Sequence, residues 1–576
     1  GLAIGASVDS AIGFSDGGLL AGLGAVILKN LTHFIQHLLE GEFINDIHIA
    51  FYFIFPIIGL FLVRIIKKYV IKKKVGHGIP STLFAISKLK GILPRHQMWS
   101  SIITAPLTVG FGGSVGLEGP TVATGAALGS NFARLMHLNQ TTRTLLIGAA
   151  AAGAMSSIFK APIAAIVFAV EIFSLELTLA SMIPLLLASI TAVLTSYFFF
   201  GDDVLLHFKL QDKFFLNDVL FYVLLGVFTA SVSIYFSKVY SRIGAFFRDF
   251  RGAHRRLLVG GILLGIMVFI IPPLFGEGFE TINLLLADKG QEIITGNYVE
   301  SICTSEIALL LLIFSMIFFK IIATSVTVGV GGIGGVFAPA LFLGSALGYV
   351  FAKFVNHFFL LELSISNFSL VSMAGLIAGV LHAPLTAIFL IAEITSGYEL
   401  FIPLMTVAAI SYVCSKYFIP HSLFNLQLAL KGELMTHNKD KAVLMQMQLE
   451  KLVEKNFSTI QPEMNLGTLV KVVAESKRNI FPVVNENNIF LGIINLDDIR
   501  KVMFDQSLYT KFTVSDLMHQ PMGSIKLYDP MDKVMAKFKE TGAWNLAVTC
   551  QGEYIGFISK SKLFSNYRRK LVEFSE

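Results

Sequence analysis

A chain of 576 residues with 54% hydrophobic content, a mean hydropathy of +0.70 and only 15% charged residues is far more apolar than a water-soluble globular protein. That excludes a free soluble enzyme and predicts a multi-pass membrane protein needing lipid, with no nucleic-acid partner. The net charge of +6 collects in basic clusters at Lys67 and Lys68, Lys72 to Lys74 and Arg248 to Arg256, which read as cytoplasmic orientation signals.

In chain order, the first chemical landmark is GHGIP, residues 76–80, followed by GGSVGLEGPTVATGAALG, residues 112–129, and FKAPIAAIVFAVEI, residues 159–172. Apolar runs long enough to enter a bilayer follow at Ile183–Phe200, Leu257–Phe275 and Ile307–Phe319. VGGIGGVFAPALFLGSALG, residues 330–348, then repeats the second landmark, with Pro339 under Pro120 and Gly344 under Gly125. LHAPLTAIFLIAEI, residues 381–394, repeats the third, with Pro384 under Pro162 and Glu393 under Glu171. Two matches in the same order at nearly equal offset indicate a duplicated membrane part, with repeats at about 40–200 and 216–432.

Duplicated halves with interrupted helices are a transporter architecture, in which half-helix N-termini point at an anionic substrate near the bilayer midplane. Glycine followed by proline marks a helix start, because glycine admits close backbone approach and proline is tolerated in the first turn. GHGIP, GLEGP and GVFAP are three such starts. Their free amides and positive dipole ends can hold an anion without a full positive charge. Each motif taken singly also fits close helix packing. Glu118 is an ionisable residue inside this apolar sequence and is expected to be functional.

The three glycine-proline starts, the two AP-containing helices and PPLFGEGFETI, residues 272–282, together resemble the CLC family of chloride channels and chloride/proton antiporters, from about Gly17 to Gly432. The resemblance implies a polytopic all-α membrane domain, residues 1–432, with an inverted internal repeat and broken helices, working as a homodimer on chloride and related small anions. It implies that Glu118 is the gate, a tethered carboxylate competing with the anion. His77, Gly78, Leu117, Gly119, Val336, Phe337 and Phe424 then fall at the anion-binding positions. His77 stands where the family commonly has serine; its ring either donates to the ion or points aside. Phe424 stands where the family has tyrosine, and it serves as pore wall or as packing.

In the family's antiporters a proton-relaying glutamate directly follows the position of Glu171; here that residue is Ile172. Glu171 is a weak substitute, since its counterpart Glu393 suggests a shared capping or packing role, and Glu176, one turn beyond, is a second weak candidate. The loss of the relay predicts passive anion flux, with chloride/proton exchange as the alternative. A membrane-anchored ligand sensor is a third reading.

From about Lys431 the composition turns charged and alternating. After a linker at 433–455 the tail resembles a pair of CBS modules, α+β in class, at 456–510 and 511–570. FPVVNENNIFLGIINLDDI and NLAVTCQGEYIGFISKSKL align with Gly492 over Gly556, each reading as strand, turn, strand and helix. The resemblance implies a cytosolic tail on a protein of the cell membrane, with an adenine nucleotide in the cleft held by Asp498 at a ribose and Lys562 at a phosphate. No other cofactor is expected. Both residues also fit a plain solvated helix face, which is the simpler reading. Cys303, Cys414 and Cys550 lie too far apart for a disulfide framework or a zinc site, and no Walker, Rossmann, G-x-S-x-G or HExxH motif is present, so no catalytic activity is expected.

Overall fold

In the computed structural model the chain divides into two units, Gly1–Met435 and Thr436–Glu576. The structure describes residues 2–39, 48–73, 75–76, 78–175, 178–201, 206, 212–250, 252–294, 305–395, 398–429, 447 and 449–575. His77, Glu176 and Cys303 therefore lie outside the described residues.

The first unit is helical. Its helices are α1 (Leu2–Leu39), α2 (His48–Ile65), α3 (Ile79–Lys88), α4 (Gln97–Gly110), α5 (Glu118–Leu135), α6 (Gln140–Phe159), α7 (Pro162–Phe173) and α8 (Leu179–Phe200). Then come α9 (Val219–Asp249), α10 (Ala253–Ile270), α11 (Phe279–Leu286), α12 (Glu306–Val330), α13 (Phe337–Phe359), α14 (Ile365–Leu381), α15 (Pro384–Ile394), α16 (Phe401–Phe418) and α17 (Leu423–Ala429). Among the described residues eight helices are long and apolar enough to cross a membrane. The run expected to extend to Phe275 ends as helix at Ile270, since Pro272 and Pro273 restrict the preceding residue and supply no amide.

The duplication is visible in the breaks. After α6, Lys160 turns left-handed and Pro162 starts α7; after α14, His382 turns left-handed and Pro384 starts α15. Proline at the first helical position costs no hydrogen bond, so each break restarts a helix cleanly. Close packing repeats as well. A Cβ on Gly125 would stand 2.7 Å from the Ala150 carbonyl, and one on Gly129 2.7 Å from that of Leu146, so α5 lies directly on α6. On α13, a Cβ on Gly344 would stand 2.7 Å from the Met373 nitrogen and one on Gly348 2.6 Å from the Ser369 Cα, so α13 meets α14 the same way. Small residues four apart give two helices van der Waals contact along their backbones, a main source of association where lipid removes the hydrophobic drive.

The two halves are stitched together reciprocally. Ser114 N–H donates to Thr327 Oγ1 at 3.2 Å, and Ile333 N–H donates to Thr108 Oγ1 at 3.1 Å. Gly116 and Gly335 exchange backbone hydrogen bonds at 2.9 and 2.7 Å as an isolated antiparallel bridge.

The second unit carries two small α/β modules. In one, β1 (Ile480–Val484) pairs antiparallel with β2 (Phe490–Asn495), with Phe481 opposite Ile494. In the other, β3 (Ser524–Lys526) runs parallel to β4 (Asn545–Cys550), which pairs antiparallel with β5 (Glu553–Ser559). A helix follows each hairpin, at Leu496–Ile499 and Lys560–Ser575. Phe481, Val483 and Ile494 fill the core of one module, and Leu546, Val548 and Ile558 that of the other. The matched glycines Gly492 and Gly556 lie where another stretch of backbone crosses, at His519 and at Glu454.

Candidate functional site: three helix starts around Glu118

Three glycines let the helix starts meet backbone to backbone. Gly78 caps α3 with φ +73°, a conformation that disfavours other residues, and a Cβ there would stand 3.3 Å from the Gly119 carbonyl. A Cβ on Gly119 would in turn stand 3.0 Å from the Gly335 Cα. The N-termini of α3, α5 and α13 are thereby gathered at one place, each with Pro in its first turn or just after it.

A small cavity of about 10 Å³ sits at this junction, close to the room one water-sized sphere requires. Glu118 and Gly119 of α5, Val336 and Phe337 at the start of α13, Ile79 of α3 and Phe424 of α17 line it, with Val122, Met155 and Phe168 completing the apolar wall. The structure thus brings together most of the residues expected at the anion site. Phe424 is buried and presents a ring without a hydroxyl. The Phe337 ring packs 5.3 Å from that of Phe159.

Glu118 is the first residue of α5 and only 2% exposed, yet neither carboxylate oxygen has a hydrogen-bond partner among the described residues. The peptide N–H groups of Glu118 itself and of Ala338 interact with it electrostatically. Gly116 makes this position possible, because a Cβ there would collide with the carboxylate. A buried polar group without a hydrogen bond is costly. The positive ends of two helices offset that cost without fixing the carboxylate to any one donor.

The Leu117 amide, expected to face the anion, donates to Glu277 Oε1 at 2.8 Å. Glu277 lies in the loop before α11, and Lys320 of α12 reaches the same loop. The Lys320 side chain is fully buried and donates to the carbonyls of Gly276 at 2.9 Å and Leu274 at 3.4 Å, with Nζ 4.9 Å from the Phe342 ring centre. Sequence reasoning missed both residues. The available signal was the one that drew attention to Glu118, an ionisable residue in an apolar run: Glu277 stands between two glycines, and Lys320 interrupts the α12 stretch.

Glu171 and Glu393 hold helix ends. Glu171 accepts from the first amides of α15, Leu385 at 3.2 Å and Thr386 at 2.9 Å, and from Thr386 Oγ1 at 2.7 Å. Glu393 accepts from Ile163 at 3.1 Å and Ala164 at 2.8 Å at the start of α7. Ile172 is buried in the apolar core. In the tail, Asp498 closes a capping box by accepting from the Asn495 N–H at 2.7 Å, and lies 3.4 Å from His519 Nδ1. Lys562 donates its backbone N–H to Ser559 Oγ, which itself donates to Glu454 Oε1 at 3.1 Å.

Residues 58–416 match the family model described as voltage gated chloride channel, and residues 449–505 match the CBS domain. A putative chloride channel protein ClcB-like from Ralstonia nicotianae is 29% identical over 62% of this chain and 81% of its own length. The H(+)/Cl(-) exchange transporter ClcA of Yersinia pestis is 30% identical over 57% of this chain and 67% of its own. A solved eukaryotic CLC transporter superposes with a TM-score of 0.62 over 96% of this chain and 98% of that one at 16% identity, a likeness of fold. With that model spanning more than half of its length, the chain belongs to the voltage gated chloride channel, or CLC, family.

Proposed function

We propose that this protein performs its family's anion transport as a chloride/proton exchanger in which Glu118 is the gate. The observation that carries the gate is the buried Glu118 carboxylate, set among three helix starts with no hydrogen-bond partner among the described residues. Such a group is a tethered stand-in for the permeating anion: the same helix dipoles attract both, and protonation removes the charge that holds it there. Gly78, Gly119, Val336 and Phe337 supply backbone, and Phe424 supplies an aromatic wall whose positive ring edge suits an anion.

Exchange is supported by the kinship with ClcA, named as an exchange transporter at 30% identity. Passive flux, which the sequence alone ranks first, has a specific observation in its favour. Ile172 cannot relay a proton, and the Glu171 carboxylate is engaged by α15. In the exchange reading protons reach Glu118 by another route. The working unit is a homodimer in the cell membrane with a cytosolic tail, whose cleft takes an adenine nucleotide near Asp498 and Lys562.

Simultaneous chloride and proton flux in reconstituted vesicles decides the matter. An imposed chloride gradient driving protons uphill supports exchange, whereas chloride movement with no proton movement returns the passive reading.

A further inference from the structure

Beside the small cavity lies a wider one of about 550 Å³. Leu117 lines the wide cavity and Glu118 the small one, so the peptide unit joining them borders both. From the wide side that unit is covered by Glu277, whose Oε1 accepts the Leu117 N–H at 2.8 Å. The start of α5 therefore carries two carboxylates, one on each side. We propose that Glu277 is a second gating carboxylate in series with Glu118, occupying the Leu117 amide against anions arriving from the wide cavity and yielding it when its charge is neutralised.

Three observations carry this beyond an ordinary helix cap. First, the hydrogen bond joins elements 160 residues apart and is made to the residue directly before the gate, so moving Glu277 bears on the backbone that holds Glu118. Second, the two carboxylates repel each other, and their charges are therefore linked: neutralising one eases ionisation of the other. Third, Lys320 is buried within the same loop, bonded to the carbonyls on either side of Phe275, and attracts Glu277 without forming an ion pair among the described residues. The titratable groups that interact with Glu277 or line the same cavity are Glu118 from α5, Lys320 from α12, Lys29 and His33 from α1, and Glu280 and Glu292.

The proposal rests on the reading of Glu118 as gate, and the experiment separates the two. Full-length wild type, Glu277→Gln and Glu118→Gln are reconstituted in vesicles, and chloride flux is followed from acid to neutral pH. Glutamine keeps the size of the side chain but loses the charge-assisted hold on the Leu117 N–H, so Glu277→Gln mimics the yielded gate without opening a void. The expected result is flux at neutral pH raised about threefold or more, with the acid limb of the profile shifted. A Glu277→Gln profile that superimposes on wild type overturns the second gate. Should Glu277→Gln not be recovered folded, Glu277→Asp takes its place: a shortened carboxylate that shifts the profile supports the proposal, and an unchanged profile overturns it. If Glu118→Gln itself leaves flux unaltered, the underlying gate reading falls instead.

Discussion

Glu171 and Glu393 cap each other's repeat: each stands in the last turn of its own short helix, and its carboxylate accepts from the first two amides of the opposite one, α15 for Glu171 and α7 for Glu393. The exchange makes α7 and α15 antiparallel partners related by a local two-fold. It also employs four amides that would otherwise be unpaired in an apolar setting.

A structural cap and a proton relay respond differently to mutation. Glu171→Ala is expected to cost about 1–3 kcal/mol by leaving the α15 amides and the Thr386 hydroxyl unpaired, and Glu393→Ala a similar amount at α7. Thermal unfolding in detergent reads this directly. Glu171→Gln abolishing proton transport with no loss of stability would instead identify Glu171 as the relay.

Gly116→Ala tests the resting place of the proposed gate. A Cβ at that position collides with the Glu118 carboxylate and lies 2.9 Å from the Ala338 Cβ, so the side chain is expelled from the junction. The expected outcome is chloride flux at neutral pH raised by about tenfold, corresponding to about 1.4 kcal/mol lost from the closed position. Unaltered vesicle flux in a folded variant would count against Glu118 as the gate.

Phe424→Tyr restores a hydroxyl to the cavity wall beside Glu118. One added hydrogen bond to a charged partner is worth about 1.5–3 kcal/mol net, so chloride affinity measured calorimetrically is expected to rise roughly tenfold to a hundredfold. A fall in affinity would show that the ring packs with its edge away from the ion.

Packing between paired helices is tested by Gly344→Ala. The new methyl meets the α14 backbone at Met373 with no flexible neighbour to give way, and about 1–3 kcal/mol is expected to be lost. Gly244→Ala is the control: it lies within α9 with nothing within 4 Å of its Cβ position, and a gain of up to about 1 kcal/mol is expected. Equal shifts in melting temperature for the two would refute the close-packing account.

In the tail, burial works to raise the Glu454 carboxyl, but hydrogen bonds from Arg478 at 2.7 Å and Ser559 at 3.1 Å outweigh it and hold the group below its usual value of 4.5. A depressed folded value means the stabilisation is complete above the unfolded value and fades as pH falls through the folded one. Limited proteolysis of the full-length protein should therefore reach the tail more readily as pH drops below about 4.5. Arg478→Met should flatten that acid dependence and leave the tail more open to protease already at neutral pH. An onset insensitive to Arg478 would place the acid-labile contact elsewhere.

The sequence by itself determined the membrane class, the duplication, the three helix starts and the candidacy of Glu118, because composition, repeated spacing and glycine-proline order are local properties written in the chain. It also paired Glu171 with Glu393 as equivalent positions and suggested a shared role in capping or packing. What it could not say is that each caps the other's repeat, since that depends on two helices more than 200 residues apart running antiparallel. The same limit hid Glu277 and Lys320. Their meaning comes from proximity to Leu117 and to a loop that α12 approaches only after folding, and in the linear chain they are single charges among apolar residues. Glu118 could be singled out by residue type and spacing, whereas its lack of a hydrogen-bond partner among the described residues and the second carboxylate behind it were decided by the tertiary structure alone.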